Sequence, residues 1–408
     1  MFMTLLYFAL LRRRNAGMDQ LSGITDRSSK IKLALFWVSG HLEASPAVFN
    51  LAIALARSGF QVDLYTARNA TCPEPRISEP GVTLLFLPGK ERRLKEPVVR
   101  ITARFVRWVL PKVRAGGYHY MIGAGIRGLF ASAVISSLTG VPAAYQCVEM
   151  YPSWQHRTLP WRVYKSLERW ANRRMRFTII QDEMRAEMLA RDNHITRKSI
   201  VLLPVAPLGP PILIPSTFLT HKFGLHQKTI ILYAGALFAP FSASEDLVAA
   251  AQDWPEDWVL VLHSVYGQTD SQYTALKKLD IHNRTVLSTD SLPYEEITTL
   301  MASATVGLAI YKTDDDNLVN MGMSSGKLAE FLRCGVPAVV SDFPGMRDLV
   351  EQYGIGRAVR SASEVQAAIR AILADYENFR AKSARCFAER LALEIHIQNV
   401  VQAIQNNK

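Results

Sequence analysis

The sequence has little cysteine and no long apolar run. Its four cysteines, Cys72, Cys147, Cys334 and Cys386, form no C-x-x-C pair and stand beside no histidine cluster. A disulfide scaffold and a zinc site are disfavoured, and a reducing compartment fits. No apolar stretch reaches the roughly 20 residues that cross a bilayer as a helix. Residues 3–11 are apolar but short, and Arg12, Arg13 and Arg14 follow them. A secretory signal carries its positive charge ahead of the apolar run, not behind it. The segment reads either as a weak surface anchor or as an extension upstream of a start at Met18. The second is favoured, because residues 15–30 show no structural pattern. Tandem repeats and low-complexity tracts are also missing, which excludes solenoid architectures.

Hydrophobic residues fill 49% and charged residues 20% of the 408 positions, the balance of a globular chain long enough for two α/β domains. The net charge of +11 is unevenly spread: residues 1–200 hold 30 Lys and Arg against 14 Asp and Glu, and the remainder holds 17 against 22. A basic first half could meet anionic lipid, a pyrophosphate-linked acceptor or nucleic acid, unless its arginines are only a solvated surface.

Residues 31–38 are almost continuously apolar, the pattern of a parallel strand buried on both faces. Ser39 and Gly40 turn the chain, Ser45 and Pro46 suit a helix start, and residues 61–66 form the next strand of a βαβ unit. Strands are expected near 84–87, 118–122, 143–148, 177–181 and 200–204. Residues 90–114 read as one or two basic amphipathic helices broken at Pro97 and Pro111, with the apolar face packed on the sheet. Pro204, Pro207, Pro210, Pro211 and Pro215 then crowd a short stretch that reads as a stiff spacer. The alternation restarts beyond it, with strands near 229–234, 258–263, 285–287, 306–311 and 338–341. The expected organisation is a poorly structured extension over 1–30, a Rossmann-like domain over 31–205, a linker over 206–216, a second domain over 217–375 and helices over 376–408. Alternation of this kind, twice over, argues two doubly wound α/β domains whose ligands sit beyond the strand carboxyl ends, in a cleft between them.

The informative stretch is 324–337. Gly326 lets the backbone approach a ligand, and the free N–H groups of a helix start suit a diphosphate. Lys327 adds positive charge, and Glu330, three residues on, shares its helix face and could accept two hydrogen bonds from a ribose diol. An ordinary capped helix with an i,i+3 Lys–Glu pair is the alternative.

This stretch resembles the donor-binding signature of glycosyltransferase family 4 (group 1), carried here by Ser325, Gly326, Lys327, Leu328, Glu330, Phe331, Gly335, Val336 and Pro337. Tyr233, Ala234 and Gly235 are similar to the family's opening of the second domain. Residues 292–297 and Phe343, Pro344 and Gly345 resemble further family segments, and Glu149, Met150, Tyr151 and Pro152 resemble its H-E-L-Y-P form. The resemblance covers about residues 31–400 and is strongest over 320–357. It implies the GT-B fold, a donor held by Gly235, Ser325, Gly326, Lys327 and Glu330, and final helices that cross back onto the first domain. It also implies an acceptor side formed by Glu149, His41, Ser39, Gly40, Gly125 and Arg127, with Glu149 and His41 as the catalytic candidates. Retention of anomeric configuration follows from the same resemblance, as does the lack of any cofactor or metal requirement.

The match departs at three places. Gly322 stands where most members carry a glutamate that contacts the transferred sugar. Residues 236–244 hold no base, which leaves the donor phosphates to Lys327, helix dipoles and Arg127. Val148 stands where the H-E form has histidine. These gaps suit a divergent subfamily.

Other signals are weaker. Gly123, Gly125 and Gly128 spell G-x-G-x-x-G, but on a late strand rather than in the first βα turn of a dinucleotide fold; they are expected to line the acceptor side. Asp314, Asp315 and Asp316 read as a solvated loop rather than a metal site. The basic stretches lack the interleaved aromatics of a nucleic-acid surface.

The expected function is transfer of a sugar from a UDP- or GDP-type donor to a saccharide or lipid-linked acceptor in surface polysaccharide assembly. The expected place is the cytoplasm, peripherally at the inner face of the plasma membrane on anionic lipid. A nucleotide-sugar epimerase of the same fold and a catalytically silent binding subunit are the alternatives.

Overall fold

The computed structural model describes residues 31–39, 42, 45–68, 77–88, 98–155, 158–238, 241–264, 270–290, 292–313 and 315–407. The extension 1–30, Gly40, His41, Cys72 and Asp314 lie outside the described residues. The chain divides into two units, one running to Leu203 and taking in His396 onward, the other Pro204–Ile395.

The first unit is built on β1 (Lys32–Trp37), α1 (Pro46–Arg57), β2 (Gln61–Thr66), β3 (Val82–Phe86), α2 (Val98–Ala115), β4 (Tyr120–Ala124), α3 (Gly125–Thr139), β5 (Ala143–Gln146), α4 (Leu159–Asn172), β6 (Thr178–Ile180), α5 (Glu183–Asn193) and β7 (Ile200–Leu202). All pairs in its sheet are parallel, in the order β3-β2-β1-β4-β5-β6-β7. Leu33, Ala34, Leu35 and Phe36 are fully buried, which accounts for the unbroken apolar run of β1. Helix α2 lays Ile101, Phe105, Val109 and Val113 into the core. Pro111, expected to break this helix, lies inside it on the exposed side. The missing N–H removes one helix hydrogen bond, and the apolar face on the sheet holds the helix together.

The second unit comprises α6 (Phe218–Phe223), β8 (Thr229–Ala234), α7 (Ser244–Ala251), β9 (Trp258–His263), α8 (Asp270–Leu279), β10 (Thr285–Ser288), α9 (Tyr294–Met301), β11 (Val306–Ala309), α10 (Asp316–Val319), α11 (Gly326–Arg333), β12 (Ala338–Ser341), α12 (Pro344–Tyr353), β13 (Gly356–Val359), α13 (Val365–Leu373) and α14 (Tyr376–Cys386). Its parallel sheet has the order β10-β9-β8-β11-β12-β13. Helix α12 and strand β13 fall where the sequence pattern marks no element.

Two expectations change. The unit boundary falls at the start of the proline-rich stretch, between Leu203 and Pro204, and 206–216, expected as a spacer, is fastened along the second unit. Ile212 N donates to the Arg333 carbonyl (2.7 Å), Gly209 N to Glu394 Oε1 (2.7 Å), and Arg380 Nη2 to the Leu213 carbonyl (2.8 Å). Residues 376–408 also divide. Phe379, Cys386, Phe387 and Leu391 are buried in the second unit's cores. Only the later part of α15 (Leu393–Asn406) counts with the first unit.

Each sheet reverses direction once, between β1 and β4 in the first unit and between β8 and β11 in the second. Such switch points open crevices at the strand carboxyl ends, where ligands of doubly wound sheets bind. Ser39 and Arg127 follow β1 and β4; Gly235 and Tyr311 follow β8 and β11.

Candidate functional site

In the second unit the switch point gathers Gly235, Tyr233, Tyr311 and the start of α11. Gly235 has φ +140°, and a Cβ there would lie 3.2 Å from Lys327 Nζ, so the backbone and the ammonium share one spot. Lys327 is half-buried, with Nζ 4.0 Å from the centre of the Tyr233 ring and 4.7 Å from that of Tyr311. Both distances are within cation–π range. Burial alone would push the ammonium's pKa down; Tyr233 and Tyr311 outweigh it and hold the group above its ordinary value. No carboxylate pairs with Lys327 among the described residues. The bland i,i+3 pair with Glu330 is therefore not what this helix makes.

Ser325 caps α11, its Oγ accepting from Leu328 N at 3.4 Å and lying 3.1 Å from the Tyr311 hydroxyl. The N–H groups of Gly326 and Lys327 have no acceptor among the described residues, and in a first helical turn they face an incoming anion. Glu330 is 6% exposed, and Thr298 Oγ1 donates to its Oε2 at 3.4 Å. Two buried polar atoms nearby in the unit have no partner among the described residues: Oγ of Ser324 and Nε2 of His263. His263 ends β9, its carbonyl accepts from Gly235 N at 2.9 Å, and its Nδ1 lies 3.0 Å from Ser288 Oγ. Burial, with Lys222 adding to it, pushes this imidazole down to about 4.

The departure at Gly322 has a steric counterpart. A Cβ there would meet the Gly345 backbone at 2.9–3.1 Å, so the two glycines touch and a side chain at 322 requires the backbone to shift. Asp315 is a helix cap, its Oδ1 accepting from Asn317 N at 2.8 Å. Among the described residues no group of three His, Cys, Asp or Glu is placed to hold a metal ion. Burial pushes the thiols of Cys147 to about 11 and of Cys334 and Cys386 to about 12, so none is a thiolate nucleophile at neutral pH.

In the first unit Arg127 Nη1 donates to Ser39 Oγ at 3.4 Å, which joins two expected acceptor-side residues across the β1/β4 switch point. Gly125 opens α3 at φ +64° against the Trp37 ring. Its neighbours have a packing role. A Cβ at Gly123 would strike the Gly128 carbonyl, and one at Gly128 would lie 2.6 Å from the Phe36 carbonyl. These two glycines let α3 pack onto β1 and β4. Glu149 is exposed, and the Tyr151 hydroxyl donates to its Oε2 at 2.8 Å while the Tyr151 ring stacks on Trp161.

The loop behind Glu149 hangs on a buried ion network. Lys165 Nζ contacts Glu168 (3.0 Å) and Asp192 (2.7 Å), and Asp192 also takes Arg169 Nη2 and both the N–H and hydroxyl of Ser153. Burial alone would raise the Asp192 carboxyl; Lys165, Ser153 and Arg169 outweigh it and hold it below its usual range.

The structure thus brings Gly235, Ser325, Gly326 and Lys327 to one point, with Glu330 one turn further, and separately joins Ser39 to Arg127. Sequence reasoning missed Tyr233 and Tyr311 as the cradle of Lys327. Their one signal is position, since each stands where a switch-point strand ends.

The profile of the glycosyl transferase 4-like domain matches residues 44–206, and that of the glycosyl transferases group 1 matches residues 228–375. No curated protein matches the chain in sequence. Among solved structures, sucrose-phosphate synthase from Thermosynechococcus elongatus is 16% identical with a TM-score of 0.71, covering 92% of this chain and 99% of that one. HepE of Anabaena in complex with UDP and glucose is 13% identical with a TM-score of 0.69, covering 92% and 100%. A Listeria monocytogenes protein assigned as a UDP-N-acetylglucosamine 2-epimerase is 13% identical with a TM-score of 0.60, covering 93% and 96%. These likenesses show the shared GT-B fold. With the two profiles together spanning most of both units, the chain belongs to the group 1 glycosyltransferases.

Proposed function

We propose that this glycosyltransferase takes its sugar from a nucleotide-sugar of UDP or GDP type and passes it to a saccharide or lipid-linked acceptor, in surface polysaccharide assembly at the cytoplasmic face of a membrane. The observation that carries the reading is Lys327, held without a carboxylate between Tyr233 and Tyr311 beside Gly235. The solved structure of HepE with UDP and glucose supports the donor class.

The diphosphate is received by the N–H groups of Gly326 and Lys327 and by the Lys327 ammonium. Each cation–π contact of this half-buried ammonium is worth about 1–2 kcal/mol and each charged hydrogen bond to phosphate about 1.5–3 kcal/mol, so the ammonium can turn to a diphosphate without net loss. Glu330 accepts from the ribose hydroxyls. Developing negative charge on the leaving diphosphate is stabilised by the same N–H groups and ammonium, which are in place before the reaction begins. Glu149, oriented by Tyr151, receives the acceptor hydroxyl, and Arg127 with Ser39 binds an anionic part of the acceptor. The reading includes retention of configuration and no metal ion. With Gly322 in place of a glutamate, contacts to the transferred sugar come from other residues, which suits an altered sugar preference.

The Listeria structure supports one other reading, an epimerase acting on the donor sugar alone. Melting the full chain with UDP, GDP, ADP and CMP, then assaying products with and without acceptor, separates the cases. A rise in melting temperature with one diphosphate and sugar transfer only when acceptor is present is expected. Product without acceptor would favour the epimerase, and no stabilisation by any nucleotide would favour a catalytically silent subunit.

A further inference from the structure

Helix α4 packs Tyr164, Leu167, Trp170 and Ala171 on the core of the first unit, yet keeps apolar residues outside that face. Its inner face buries Lys165, Glu168 and Asn172, while Leu159 and Val163 face outward at 73% and 54% exposure, with Arg162 between them. Interior charge is expected where it is paired, as it is here. Leu159 and Val163 have no such account, since the helix already packs on the core through Tyr164, Leu167, Trp170 and Ala171.

The same character recurs on α2. Helix α3 packs between α2 and α4, and its own middle is buried, so the outward surface of this helical row belongs to α2 and α4. Val99 at the start of α2 is 55% exposed beside exposed Arg100, and Trp154, in the turn before α4, is 38% exposed. Helix α2 contains no acidic residue, and the single acid of α4, Glu168, is buried. The surface is therefore apolar tips among arginines, with no outward carboxylate on either helix.

Topology fixes where this surface lies. Each helix after a parallel strand begins at the carboxyl end of the sheet, so Val99 and Leu159 stand at the same edge as Arg127, Ser39 and Glu149. We infer that this rim, marked by Val99, Arg100, Trp154, Leu159, Arg162 and Val163, docks on an anionic phospholipid bilayer and so sets the acceptor edge against a lipid-linked substrate. Charge complementarity commits the occupant: arginine favours anionic headgroups, and exposed Leu, Val and Trp enter the interface beside them. No helix among the described residues is long and apolar enough to cross a membrane, so the contact proposed is with the surface. The lipid-linked nature of the acceptor rests on the function proposed above; the bilayer contact does not.

The test is co-sedimentation of the full chain with phosphatidylcholine vesicles, with and without phosphatidylglycerol, over a salt series. The unaltered chain should bind only the anionic vesicles and be released by salt. The double variant Leu159→Glu with Val163→Glu should lose about tenfold or more in partitioning, while Ile281→Glu, an exposed apolar site on the second unit, should not. Both altered positions are exposed, and unchanged melting temperature with unchanged nucleotide binding would show the fold intact. No vesicle binding, equal binding to neutral vesicles, or full binding by the double variant would each overturn the inference. The last would assign the contact to another surface, residues 1–14 included. Self-association abolished by the double variant without vesicle binding would also overturn it, in favour of a protein interface. A chain that binds nucleotide but no bilayer would defeat this inference alone; one that binds bilayer but no nucleotide would defeat the proposed function alone.

Discussion

The two units bury charge for different purposes. Among the described residues the first unit buries Asp63, Lys165, Glu168, Asp182, Arg185 and Asp192, whereas the second buries only His263 and Glu330 of the Asp, Glu, His, Lys and Arg side chains. Lys165, Glu168 and Asp192 close on one another and pin the loop that follows β5. His263 and Glu330 stand instead near the β8/β11 switch point, where a ligand is expected. A buried ionisable group is thus a structural clamp in one half of the molecule and, in the other, stands at the donor site proposed above. Burial alone does not separate these roles; the partners do.

The largest effect should come from breaking the clamp. Lys165→Met leaves Glu168 and Asp192 buried without their ammonium, at a cost of about 3–5 kcal/mol in the stability of the first unit. Denaturant unfolding measures this. Glu330→Gln, the matching change in the second unit, should cost less, because Gln can still accept from Thr298 Oγ1; equal losses from both would erase the contrast.

His263 sharpens the comparison through pH. Its folded value of about 4 lies below the ordinary 6.5, so the unfolded chain binds the extra proton between those values. The stability it contributes is complete above pH 6.5 and is lost as pH falls toward 4, on the order of 3 kcal/mol in all. In His263→Asn this part of the acid profile of the second unit should flatten.

Gly322→Ala comes next. Its methyl would press on the Gly345 backbone, so about 1–3 kcal/mol of stability should be lost, and a glutamate introduced there should not restore a family-like sugar contact. A variant as stable as the parent would show that the two glycines do not determine the absence of that glutamate. The smallest effect is expected from Lys327→Met, which should weaken nucleoside diphosphate binding about tenfold while leaving the nucleoside itself almost unaffected. Competition binding with uridine and UDP reads the difference.

What the sequence disclosed follows the range of the interactions involved. The strand at 31–38 was readable because burial on both faces makes every position apolar. Gly326, Lys327 and Glu330 were readable because one helix start sets their geometry locally. The cradle of Lys327 was not, since Tyr233 and Tyr311 lie far apart in the chain and meet only when β8 and β11 pair. Nor was the contact of Gly322 with Gly345, or the clamp joining Lys165 and Asp192 from different helices. Pro111 misled because packing of α2 on the sheet overrode a local propensity. The stretch 206–216 misled because its composition speaks for stiffness but not for the arginines of the second unit that bind its carbonyls.

The central claim is that the start of α11 grips a diphosphate while Glu330 holds the adjoining ribose. Calorimetric titration of the full chain and of Glu330→Ala with the nucleoside diphosphate that most raises the melting temperature tests it directly. The account predicts a loss of affinity of about tenfold or more in the variant, with binding in Glu149→Ala unchanged. Equal affinity in the parent and Glu330→Ala would contradict it.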